Sequence, residues 1–116
     1  MSRGHPPVKA IAEAQHLASL QRNIVIPVSS DCKLPFDFIR WERDTITLVR
    51  VRRLRYAGYG IDDIALSCAR EISELREIPV TDQIHRELHV RGPDRHWHRY
   101  LVLPYSLVII SDAGET

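Results

Sequence analysis

With 116 residues and a formal net charge of +1, the chain has room for one domain and is not, as a whole, a trap for polyanions. Apolar residues (44%) and charged residues (27%) stand in ordinary globular proportion, and the longest apolar run, YLVLPYSLVII, is broken by Pro104 and Ser106 well short of membrane-spanning length. Cys32 and Cys68 belong to no paired motif, which excludes a thiolate zinc site and predicts reduced thiols; the opening MSRGHPPVKA has no apolar signal segment, so a cytoplasmic protein is expected.

The first predicted element is a helix over residues 8–22, where Val8, Ile11, Ala12, Ala14, Leu17, Ala18 and Leu20 form a broad apolar stripe behind Pro6 and Pro7. NIVIPV follows as a short buried strand, ended by Pro27 and the polar turn SSDCK. PFDFIRW alternates Phe36, Phe38 and Arg40 against Asp37, Ile39 and Trp41, as a strand does; ERDT is a tight connection to a second strand, ITLVRVRRLR. In that strand Leu48, Arg50, Arg52 and Leu54 share one side, and Val49, Val51 and Arg53 the other. After the glycine break YAGYG, the spacing of Ile61, Ile64, Ala65, Cys68, Ile72, Leu75 and Ile78 predicts an amphipathic helix over 61–78, with Asp62 and Asp63 suiting its first turn and Pro79 ending it. Strands near 84–91 and 96–103 joined at GPDR read as a hairpin, and DAGET as a frayed tail. The order is α-β-β-β-α-β-β, an α/β domain over 1–116 with its ordered core at about 8–105: a mixed sheet with a helix packed on each side.

Charge is unevenly spread. Between Arg40 and Arg55 six arginines face only Glu42 and Asp44, whereas Asp62, Asp63, Glu71, Glu74 and Glu77 outnumber Arg70 and Arg76 in the following segment. A basic face beside an acidic helix is expected, and the basic face permits nucleic-acid binding.

The element order, Glu13 on the first helix, the aspartate of PFDF and the strand VRVRR a dozen residues later resemble the PD-(D/E)XK nuclease superfamily, with its restriction-endonuclease-like fold. Archaeal Holliday-junction-resolvase-like proteins and homing endonucleases of that fold are the members most similar in pattern. The resemblance covers residues 8–103 and implies a catalytic locus of Glu13, Asp37, Arg50 and Arg52, with Asp37 as the metal ligand. Family members carry glutamate or glutamine where Arg50 stands, and lysine where Arg52 stands. In such enzymes acidic oxygens hold Mg²⁺, which activates water and neutralises developing charge. Arginine has no acceptor atom and stays charged, so Arg50 replaces a ligand with a cation, and Arg52 can touch a phosphate but not act as a base. A second acidic ligand then has to come from Glu13, Asp31 or Glu42.

The resulting expectation is a nuclease-like, nucleic-acid-binding domain that does not cleave and needs no cofactor, with Arg40, Arg50, Arg52, Arg53 and Arg55 as the phosphate-contacting set. The opposing reading of the same residues pairs some of these arginines with local carboxylates and solvates the rest. Two alternatives stand beside it: an active Mg²⁺-dependent DNA endonuclease or junction resolvase, and a homodimeric interaction domain without nucleic acid. Dimerisation is implied by relatives that act in pairs, through the open hairpin edge or YSLVII. No membrane partner is expected. His85 and His89 fall on one strand face and His96 and His98 on another; they read as a zinc candidate or as a polar face. Trp41, Tyr56, Trp97 and Tyr100 are base-stacking candidates, although Trp97, beside Leu101 and Leu103, reads as core.

Overall fold

Small side chains let a helix pack close against a sheet, and the first helix supplies them. In the computed structural model, which describes residues 7–21 and 23–110, helix α1 spans Val8–Leu20 and buries Ala10, Ala14 and Ala18 at four-residue steps. These alanines let the helix lie close over Phe38, Val49 and Val51. The broad stripe expected from the sequence is therefore narrower: Val8, Leu17 and Leu20 are exposed, because larger side chains would hold the helix off the sheet. Pro6, Arg22 and the tail expected to fray at 112–116 lie outside the described residues.

Strands β1 (Ile24–Pro27), β2 (Phe38–Glu42) and β3 (Thr45–Arg53) form an antiparallel meander, β2 and β3 joined by the two-residue turn Arg43–Asp44. A short 3₁₀ turn, Ser30–Cys32, bridges β1 and β2. Helices α2 (Ile61–Ser67) and α3 (Ala69–Arg76) then carry the chain across to β4 (Ile84–Arg91), which runs parallel to β3 from Ile46↔Ile84 to Arg53↔Arg91. Strands β5 (Trp97–Val102) and β6 (Leu107–Ile109) continue antiparallel, giving a six-stranded mixed sheet in the order β1-β2-β3-β4-β5-β6. The molecule is α/β, with α1 on one face and α2 and α3 on the other.

Two expectations need correction. The helix predicted over 61–78 breaks at Cys68, whose backbone (φ −115°, ψ 24°) leaves the helical region. The break lets Ile64 of α2 and Ile72 and Leu75 of α3 all reach the sheet, against Leu88, Val90, Tyr100 and Val102. The element order α-β-β-β-α-β-β also lacks a strand: the segment YSLVII supplies β6, which pairs with β5 from Tyr100↔Ile109 to Val102↔Leu107 and forms the outer edge of the sheet. The larger apolar cluster thus lies under α2 and α3, and the smaller one under α1. No helix among the described residues is long and apolar enough to cross a membrane.

Candidate functional site

Strand alternation divides the arginines of β3 as the sequence indicates. Arg50 and Arg52 point to the α3 face, and Arg53 lies on the α1 face with Val49 and Val51. Asp37, the residue before β2, is buried; its N–H donates to the Val49 carbonyl (2.7 Å) and its Oδ2 accepts the Val51 N–H (2.7 Å). Arg50, only 4% exposed, donates to the Pro35 carbonyl (3.0 Å), with Nε 4.0 Å from Asp37 Oδ2 and Nη2 3.9 Å from Glu74 Oε1. Its guanidinium sits between two carboxylates, where a cation of another kind would need oxygen on every side. Arg52 is held by both helices, 2.7 Å from Glu71 Oε2 of α3 and 3.3 Å from the Ser67 carbonyl of α2.

The other proposed acidic groups do not join Asp37. Glu13 accepts from the Trp97 indole (3.0 Å) and pairs with Arg91 (3.3 Å), so its partners belong to β4 and β5 on the α1 face. Asp31 lies in the exposed 3₁₀ turn, and Glu42 ends β2, at the far end from Asp37. Mg²⁺ takes near-octahedral oxygen coordination. The motif positions instead offer one carboxylate beside a guanidinium, and no group of three His, Cys, Asp or Glu side chains converges among the described residues. This donor set does not fit the ion. Placed ~4 Å from a guanidinium, a divalent ion is repelled by roughly 2 kcal/mol even at the dielectric of water.

His89 and His98 separate for the same reason of alternation, whereas His96, just before β5, lines the same cavity as His89. His89 faces α1, while His98, the register neighbour of Val90, lies on the opposite face, stacked on Tyr59 at 3.7 Å and 2.8 Å from Asp94. His89 belongs to a buried network the sequence reading did not assemble. Its Nε2 is 2.8 Å from Glu87 Oε1, and the other Glu87 oxygen accepts from Arg40 at 2.8 Å. Arg40, proposed as a phosphate contact, is thus turned inward onto Glu87, its side chain 13% exposed. Burial alone pushes Glu87 up, but hydrogen bonds and charge from His89 and Arg40 outweigh it and hold its pKa at about 2. Burial pushes His89 down; Glu87 opposes this, and Arg40 and Arg99 add to it.

Both shifts are downward, so below neutral pH the unfolded chain binds more protons than the folded one, and stability falls as pH falls. The loss is expected first below the ordinary histidine value of 6.5, and then between 4.5 and about 2 as Glu87 titrates. The Glu87 part amounts to about 3 kcal/mol. Urea unfolding across this range, with Glu87→Gln flattening the acidic limb, measures it; stability that rises on acidification contradicts the network.

The exposed cations collect elsewhere, at the C-terminal ends of β3 and β4. A surface groove there holds Lys9, Arg53, Arg55, Arg91 and Arg95 against the single carboxylate Glu13. Arg53 and Arg91 are direct register neighbours across the parallel pair, a like-charge juxtaposition that Glu13 offsets on the Arg91 side, 3.3 Å from its guanidinium. Neither Arg53 nor Arg55 has a carboxylate partner among the described residues. An adjoining groove brings Arg52 and Tyr56, a residue 81% exposed, to the same rim, together with the carboxylate of Asp63. Of the predicted phosphate set, then, Arg53 and Arg55 stand at this rim, Arg52 reaches it from its pair with Glu71, and Arg40 and Arg50 are engaged inside. Lys9, Arg91 and Arg95 escape a local reading, because they come from α1, β4 and the β4–β5 turn and meet Arg53 only through the tertiary fold.

Compared with known proteins, the chain matches no family model and no curated protein sequence.

Proposed function

We propose that this chain is a nuclease-like domain of restriction-endonuclease type that binds nucleic acid, DNA foremost, without cutting it. The observation that carries the non-cutting half is the Arg50 guanidinium seated between Asp37 and Glu74, a fixed cation in the place the resemblance assigns to Mg²⁺. Support for binding comes from the rim, where five cations oppose one carboxylate and Tyr56 offers an exposed ring for base stacking. Such a surface contacts phosphate, so binding is salt-sensitive and weakly selective in sequence.

Fluorescence anisotropy with labelled single- and double-stranded DNA tests this. The double substitution R53Q/R55Q is expected to weaken binding roughly tenfold or more, and to reduce the slope of log affinity against log salt by about two. Arg43→Asn, in the β2–β3 turn at the other end of β3, serves as control: asparagine tolerates the positive φ of 52° there, and binding should be unchanged. Equal affinity of R53Q/R55Q and the parent chain counts against the rim.

A second reading, a homodimer, is favoured by the outer end of the sheet, where Tyr105, Val108 and Ile109 are exposed around β6. Light scattering of the parent chain and of V108K/I109K separates it: a dimer that dissociates in the variant supports pairing through this edge.

A further inference from the structure

We propose that Glu13 is an autoinhibitory group of the strand-binding rim: its carboxylate holds the Arg91 guanidinium that a strand phosphate would otherwise take. This role rests on the nucleic-acid reading of the rim and adds a control to it. Glu13 lies on α1 one turn beyond Lys9, and both side chains line the groove shared with Arg53, Arg55, Arg91 and Arg95. Among the described residues it is the single carboxylate lining that groove. Its Oε1 serves two donors at once, the Trp97 indole at 3.0 Å and Arg91 Nη2 at 3.3 Å.

Arg91 is held at three points. Beside the Glu13 pair, its Nη1 donates to the Arg95 carbonyl, and its guanidinium carbon lies 5.6 Å from the centre of the Trp97 ring. The side chain is only 23% exposed, although its backbone is the direct register neighbour of Arg53. Adjacent strands lie about 4.8 Å apart, so a released Arg91 and Arg53 present two guanidinium groups to one phosphate. Carboxylate and phosphate oxygens meet a guanidinium with the same paired geometry, so a glutamate can stand where a phosphate would go. The Glu13 side chain is 43% exposed, and a pair this open to water is weak enough for a polyanion to displace. Glu13 therefore lowers affinity without closing the rim. The resemblance to nucleases puts the same residue in a catalytic locus, where its loss weakens function; as a competitor, its loss strengthens binding.

Anisotropy with labelled single- and double-stranded DNA, run on Glu13→Gln beside the parent chain, tests this role. Glutamine keeps an acceptor for the Trp97 indole and loses the charge, so α1 stays docked. E13Q is expected to bind several-fold tighter, and its slope of log affinity against log salt to steepen by about one, the mark of one more phosphate contact. Two further variants separate competition from a general loss of negative charge. Glu13→Asp keeps the charge, but its shorter side chain cannot hold Trp97 and Arg91 together, so its affinity is expected between those of the parent and E13Q. Arg91→Gln is expected to change affinity by less than about twofold in the parent chain and to remove the whole gain in E13Q. Equal or weaker binding by folded E13Q, with R53Q/R55Q still weakening the parent, overturns the competitor and leaves the rim standing. Equal losses from R91Q in both backgrounds, or E13D indistinguishable from the parent, also overturn it, since charge alone then explains the gain. Binding by E13Q where the parent does not bind supports it. No binding by either chain overturns the rim reading, and the competitor with it.

Discussion

Replacing Glu87 by alanine is expected to destabilise the fold by about 3–5 kcal/mol, a large part of the stability of a domain this size. The reason lies in what remains behind. Glu87 is 6% exposed and holds both Arg40 and His89 at 2.8 Å. Without the carboxylate, the Arg40 guanidinium stays largely buried with its charge uncompensated, and the imidazole edge that meets Phe38 at 6.4 Å loses its polar partner. Removal of one member of a buried pair costs far more than the pair contributes as a whole, because the survivor keeps its desolvation cost. Glu13, by contrast, is 43% exposed in its pair with Arg91, and Glu13→Ala is expected to cost no more than about 1 kcal/mol. Urea unfolding of the two variants side by side checks both figures; similar midpoints contradict the assignment of Glu87 as the anchor of the α1 face.

Arg86→Met is expected to cost about 3 kcal/mol or more, with the chain length of the side chain preserved. Arg86 is 2% exposed and has no carboxylate partner among the described residues. Its guanidinium instead donates to the carbonyls of Val102 (3.1 and 3.2 Å), Ile78 (2.9 Å) and Leu75 (3.4 Å). Leu75 and Ile78 belong to the end of α3 and the residues just past it, where a positive charge is favoured; the Leu75 carbonyl also accepts the Ile78 N–H (3.1 Å), so the Ile78 and Val102 carbonyls depend most on Arg86. One side chain therefore ties the α3 terminus to β4 and β5. Burial lowers the Arg86 pKa, and Arg76 adds to this, yet only loss of the donors themselves exposes the carbonyls to an unsatisfied state. Amide exchange should accelerate at the end of α3 and along β5 in the variant. A loss below about 1 kcal/mol with unchanged exchange rules out the tie.

These two residues also mark where the sequence was legible and where it was not. Local periodicity gave the two sides of β3, the hairpin of β4 and β5, and the apolar face of α2 and α3, because each depends on neighbours two to four residues away. The break at Cys68 escaped it, since the apolar spacing runs straight through the break. Arg86 sits on a strand whose alternation alone places a charge among core residues, and nothing local announces the carbonyls that receive it. Arg40 and Glu87 are 47 residues apart and meet only through strand order. The pairing of Arg50 and Arg52 with α3 follows the expected charge asymmetry, acidic helix against basic strand, but which of the arginines would be left facing solvent depended on the β3–β4 register.

The most direct test of the fixed guanidinium beside Asp37 is an incubation of the protein with labelled linear duplex and four-way-junction DNA in Mg²⁺ or Mn²⁺, read by native and denaturing electrophoresis. Retarded complexes with every strand intact, and the same affinity in chelator as in metal, are the predicted result. Metal-dependent cut products that disappear in Asp37→Ala would contradict it, since they require a divalent ion to be held where Arg50 now lies.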